Sequence, residues 1–172
     1  MPTHVILNNA SLMLGPTATL AALKELACYT NHIELSPDTS TTTVDTMCGS
    51  IDYPGATTWT LVVTLYQSWD TPNGPEAVLE PLVDAAPTPC AFVISADRNN
   101  PISATNPGWS GTVMPAPYSP LNGDAGDPSE ISLEWSLTAP PVKLTTPPAA
   151  TQADLDKQLA DAAKAEAAAA AA

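Results

Sequence analysis

The chain is poor in positive charge. Its 172 residues carry five Lys and Arg against 18 Asp and Glu, a net charge of −13. The cations are Lys24, Arg98, Lys143, Lys157 and Lys164, and the last two lie in an alanine-rich C-terminal stretch. A tight nucleic-acid complex neutralises roughly 6–10 phosphates with basic side chains, which one copy of this chain does not supply. Docking on anionic lipid is excluded on the same ground. Acidity on this scale favours solubility, and it also makes a surface that repels polyanions.

Histidine is as scarce. His4 and His32 are the only two, so a Ser-His-Asp or Cys-His nucleophile system would have to use one of them. His32 falls on the polar side of a predicted strand and reads as a surface histidine. The three cysteines, Cys28, Cys48 and Cys90, show no C-x-x-C and no zinc spacing. Three reduced thiols are expected, with a Cys28–Cys48 disulfide as the alternative. No run approaches the roughly 18 apolar residues of a membrane span. The start, Met1-Pro-Thr-His-Val5, has no basic segment leading into an apolar run, so no signal peptide is expected. There is no glycine-rich phosphate loop. Asn122-Gly-Asp-Ala-Gly-Asp127 with Glu130 looks superficially like a calcium loop. Gly126 stands at the fifth ligand position, however, and an ordinary turn is expected. Asn9-Ala10-Ser11 is a formal glycosylation acceptor that matters only in a secreted protein. The expectation is a protein without catalytic, cofactor-binding or metal-binding residues.

What the chain has is β-pattern. Hydrophobic residues make up 44 % of it, with 19 prolines and 8 glycines. Thr, Ser, Val and Pro dominate its middle, which argues for short strands joined by turns. From Trp59 the odd positions are Trp59, Leu61, Val63, Leu65, Gln67 and Trp69. The even ones are Thr60, Val62, Thr64, Tyr66, Ser68 and Asp70. One face is apolar and the other mostly polar, as in a sheet with one side on a core. The alternation is cleanest at Ile131, Leu133, Trp135 and Leu137 against Ser132, Glu134, Ser136 and Thr138. Further strands are predicted at Val5–Leu14, Tyr29–Leu35, Val44–Cys48, Cys90–Ser95 and Trp109–Met114. Pro54-Gly55 is read as a tight type II turn between two strands, and Ser36–Thr43 as a polar loop. Leu20, Leu23 and Ala27 have helical spacing. So do Val78, Leu79, Leu82 and Val83, where Pro81 would kink a helix or confine it to short turns. Asp97–Gly108 is read as a long loop. After Pro140-Pro141 the composition shifts, so the expected units are a β-domain over 1–144 and a Pro/Ala-rich linker with a weak helix over 145–172. Thr151 is the predicted N-cap of that helix.

The order and spacing of several segments carry a resemblance. They are Ile33-Glu-Leu-Ser-Pro-Asp38, Cys48-Gly49, Pro54-Gly-Ala-Thr-Thr-Trp-Thr-Leu61, Tyr66-Gln-Ser-Trp-Asp70, Gly111-Thr-Val-Met114 and Asn122–Asp127 ahead of the final alternating strand. Over Tyr29 to Pro141 the chain resembles the major tail proteins of long-tailed, non-contractile bacteriophages of the actinobacterial type. It departs from them in the helix-like Thr19–Ala27 stretch. Its alanine-rich tail stands where some relatives carry an immunoglobulin-like domain. The resemblance implies an all-β sandwich with one short flanking helix. Six copies would form a ring with a continuous inner β-barrel, and stacked rings would make the tail tube that conducts DNA at ejection. The implied partners are further copies, other tail proteins at the tube ends, and DNA that passes without specific binding. No membrane is involved, and the implied location is the virion tail after synthesis in the host cytoplasm. Glu134, Ser132 and Ser136 are the best candidates for a channel-facing row, followed by Thr60 and Thr64. Ser36–Thr43 and Asp97–Gly108 are the expected contacts between rings or subunits. A capsid decoration or adhesin-type β-domain is the alternative. An enzyme or small-ligand binder would need a convergent polar set, and the sequence presents none.

Overall fold

The computed structural model describes residues 9–69 and 74–148. The predicted strand over Val5–Asn8 and the alanine-rich helix, with its Thr151 cap, lie outside the described residues. Within them the chain forms two antiparallel sheets and one helix. The strands are β1 Ser11–Gly15, β2 Lys24–Glu25, β3 Thr30–Thr46, β4 Gly49–Tyr66, β5 Cys90–Ser95, β6 Gly108–Val113, β7 Glu130–Ser136 and β8 Val142–Leu144. The helix α1, Pro75–Asp84, lies between β4 and β5. One sheet runs β2-β1-β5-β6-β8 and the other β3-β4-β7. The fold is the expected all-β sandwich with a short flanking helix, and neither sheet closes on itself.

Burial follows the predicted alternation. Leu61, Val63 and Leu65 of β4 and Ile131, Leu133 and Trp135 of β7 are buried, in register with one another. They pack against Leu12, Leu14, Cys90, Phe92 and Ile94 of the opposite sheet. Trp135 is 1 % exposed, and its indole Nε1–H donates to the Ala116 carbonyl at 3.0 Å. That bond satisfies the one polar atom a tryptophan brings into a core. Every residue of β5 is buried, because Leu23 and Ile102 cover the face of Ala91 and Val93 that points away from the other sheet. Val78, Leu79 and Leu82 attach α1 to the main core. Pro75 opens the helix, where a missing N–H costs nothing. Pro81 lies inside it and is exposed, and the helix continues for three residues beyond it.

Three expectations are corrected. Thr19–Ala27 is not helical. Ala22 N–H and Leu23 N–H both close a turn on the Thr19 carbonyl, and the chain then enters β2. Ser36–Thr43 is strand, part of the 17-residue β3. Pro54-Gly55 is no turn either: it lies inside the 18-residue β4. The reversal between β3 and β4 occurs at Met47-Cys48, and Gly49 next to it takes φ of +129°, a backbone state that favours glycine. Pro54-Gly55 instead marks a β-bulge. Thr39 pairs with Thr57 but Thr41 with Pro54, so β4 spends one residue more than β3. A side chain at Gly55 would run into Ser40. Polar composition and proline misled because the segment is an edge ribbon with no core beneath it. There proline and threonine are tolerated on both strands.

Candidate functional site

The outward face of the three-stranded sheet brings the predicted channel residues together. Cross-strand register builds three rows: Ser36–Thr60–Ser136, Glu34–Val62–Glu134 and His32–Thr64–Ser132. All five candidates, Glu134, Ser132, Ser136, Thr60 and Thr64, therefore share one face. Ser132, Glu134 and Ser136 are exposed, while Thr60 and Thr64 are half-buried in the middle strand. His32, Glu34 and Ser36 complete the face and were not among the candidates, although the His32/Glu34 side of the strand was legible in the alternation. His32 Nε2 lies 3.5 Å from Glu34 Oε2, with both side chains 54 % exposed. Such a pair contributes little in water. No Lys or Arg stands in these rows.

The same sheet has two open edges. Gln67 N–H donates to the Ser129 carbonyl and Leu137 N–H to the Trp59 carbonyl. The uninterrupted register between those bonds assigns the odd residues of β7 to the ladder with β4. The even residues turn their N–H and C=O away from it. At the two ends these groups are used: Glu130 N–H reaches the Asn122 carbonyl, and the Ser136 carbonyl accepts from Met114 N–H. Ser132 and Glu134 present theirs to the open edge among the described residues. On the other side β3 gives its even residues to β4, so Ile33, Leu35 and Pro37 lie at the outer edge. Pro37 fits there because no ladder bond needs its missing N–H.

Beyond Ser36 and Thr60, β3 and β4 run on without the rest of the sheet. Every residue from 37 to 58 is exposed, so the hairpin forms an arm that leaves the sandwich. Its far end is two-faced. Val44 pairs with Ile51 and Thr42 with Tyr53 on one side. On the other, Thr43 Oγ1 donates to Asp52 Oδ1 and Ser50 Oγ to Asp45 Oδ1, each at 2.6 Å. Met47 at the turn is fully exposed.

The remaining expectations concern chemistry. All three cysteines are free thiols. Cys28 and Cys48 are exposed, and burial pushes the Cys90 thiol up to about 11. Asn122–Asp127 is a turn closed by Asp127 N–H on the Asp124 carbonyl. Among the described residues no group of three or more His, Cys, Asp or Glu side chains converges. None of their helices is long and apolar enough to cross a membrane.

No protein-family model matches the chain, and no curated protein matches it in sequence. Its fold is similar to solved structures from an extracellular contractile injection system. One is the sheath/tube terminator of such a system in the extended state, with a TM-score of 0.57 and 10 % identity over 83 % of this chain and 98 % of that one. Another comes from the sheath-tube complex, with a TM-score of 0.56 and 10 % identity over 83 % of this chain and 93 % of that one. The chain shares the fold of these injection-system structures.

Proposed function

We propose that the protein is a structural component of a phage tail or tail-like particle, whose copies assemble into hexameric rings stacked as the tube that DNA crosses during ejection. The observation that carries this reading is the three-stranded sheet, with one face on the core, a polar face outward and both edges open. Pairing β3 of one copy with β7 of the next satisfies the edge groups of Ser132 and Glu134. It joins the sheets of successive copies into one barrel, and closure removes edges that would otherwise promote disordered association. A barrel of many strands leaves an aqueous channel. The rows of Ser, Thr, His and Glu then line it without a Lys or Arg to hold phosphate. Likeness of fold to tail-tube components supports the class. The neighbours belong to a contractile system, whereas the sequence resemblance is to non-contractile tails, and a tube is common to both. Other tail proteins would cap the tube ends, in a virion assembled after synthesis in the host cytoplasm.

The test is an edge substitution. Ser132→Pro removes an N–H aimed at the open edge and leaves the β4 ladder intact. We expect a folded, monomeric protein with the parental circular dichroism and no rings by negative-stain microscopy, where the parent forms six-fold rings or tubes. Rings formed by Ser132→Pro at the parental yield would refute closure through β7.

A further inference from the structure

Between the two sheets, beside the Asp97–Gly108 loop, lies a cleft of about 1130 Å³. Ile33, Leu35 and Trp59 line it from the three-stranded sheet, and Ile94 and Trp109 from the five-stranded one. Both tryptophans are only half-buried. The polar groups of the loop are spent within it. Asn106 Nδ2 donates to the carbonyls of Asp97 and Asn100, Asn106 Oδ1 accepts from Asp97 N–H, and Asn100 Nδ2 donates to Asp97 Oδ2. What remains open to an occupant is chiefly aromatic, aliphatic and proline surface. A volume at or above the upper end of small-molecule pockets suits a polypeptide segment.

The described chain enters the fold at this cleft. Asn9 and Ala10 are among its lining residues. The Asn9 carbonyl accepts from Arg98 N–H at 2.8 Å, and β1 begins two residues on, with Ser11 paired to Ser95 at the same rim. The residues before Asn9 therefore join the fold across the rim of the cleft. They lie outside the described residues, and they include the apolar run Val5-Ile6-Leu7. Extended chain covers roughly 3.3 Å per residue, so Leu7 is within roughly 7 Å of Asn9 along the chain and Val5 within roughly 13 Å. From Val5 to Asn9 there is no charged side chain, so burial of this stretch strips no charge of water. The C-terminal side offers less. Pro141 also lines the cleft, but beyond Leu144 the next large apolar residue is Leu155.

We infer that Val5-Ile6-Leu7 of the same chain occupies the cleft, covering Trp59 and Trp109 as a strap laid between the two sheets. The contact is intramolecular. It uses neither open edge of the three-stranded sheet and does not depend on the tube reading.

Two measurements on the full-length protein test it. The first places a thiol in the strap and one on the exposed rim, Val5→Cys with Thr105→Cys, in a background where Cys28→Ser and Cys48→Ser remove the exposed thiols. After mild oxidation, digestion at Lys24, Arg98 and Lys143 should yield residues 1–24 joined to residues 99–143, and the intact product should run as a monomer on a non-reducing gel. Ile6→Asp in the same background should largely abolish the link. The second uses Trp69→Phe to remove the most exposed indole, so that acrylamide quenching reads Trp59 and Trp109 while Trp135 stays buried. There Ile6→Asp should raise quenching and shift emission to the red, with the parental circular dichroism retained. Quenching and emission unchanged by Ile6→Asp overturn the inference, whatever the gel shows. So does a link that Ile6→Asp leaves at the parental yield, since tethering alone would then explain it. Disulfide-linked dimers in place of the linked monomer also overturn it, because the strap would then come from another copy. A quenching response without a link upholds the strap and removes only Thr105 from its path.

Discussion

Glu34 and Glu134 lie in one row of the outer sheet face, two strands apart with Val62 between them. Strand spacing puts their backbones about 10 Å from each other. They belong to the two edge strands, so ring closure would bring the Glu134 side of one copy towards the Glu34 side of the next. A ring would then carry a belt of carboxylates. Such a belt repels phosphate, and each copy repeats it.

The belt makes charge reversal informative. Glu134→Lys is expected to assemble, because Glu134 is exposed and forms no ion pair across the row. It should slow DNA ejection, more at low salt than at high salt, since screening shortens the reach of the new charges. Weak contacts multiply around every ring and along the stack. Ejection rates measured against ionic strength check this. Parental rates at all salt concentrations would mean that the face does not line the passage.

Trp135 fixes the phase of β7. Trp135→Ala should destabilise the fold by about 3–5 kcal/mol, a fall of roughly 10 °C or more in thermal midpoint for a chain of this size. The Ala116 carbonyl that receives its indole N–H also loses a partner. Calorimetry of the purified variant reads the effect, and an unchanged midpoint would contradict the burial.

The arm should be dispensable for folding and needed for assembly. Replacing residues 39–57 with Asn-Gly rejoins the strands at the Asp38–Thr58 pair through a loop suited to a hairpin. Every residue removed is exposed, so the midpoint should move by no more than about 4 °C. Stacked assemblies should be lost. A large loss of stability would show that the arm packs on its own domain.

Cys90 gives the fold a base-sensitive term. Burial raises its thiol from about 9 to about 11. The neutral thiol is favoured in the folded state, so its contribution to stability is complete below pH 9. It is lost as the pH rises through about 11. The loss is bounded by about 3 kcal/mol. Denaturant unfolding between pH 8 and 11 should show stability falling faster in the parent than in Cys90→Ala. Parallel curves would contradict this.

Period-2 alternation in the sequence determined the faces of β4 and β7. A core one side chain deep demands an apolar residue at every second position, and solvent tolerates polar ones between. The poverty in Lys and Arg likewise came from the sequence, and so did the strand Cys90–Ser95, apolar throughout because both its faces are covered. Local pattern did not reach β3 and the arm. Pro37, Pro54-Gly55 and the threonine run are turn signals in a covered sheet. At an edge, and beside a bulge, the missing N–H and the absent side chain cause no loss. Thr19–Ala27 had helical spacing, yet Leu23 is drawn down over β5 while Leu20 stays exposed at 38 %. Coverage of the sheet decided that segment, not its own periodicity. Only tertiary structure could bring Glu34, Glu134 and the threonines of β4 onto one face, because strand register spans about a hundred residues of chain.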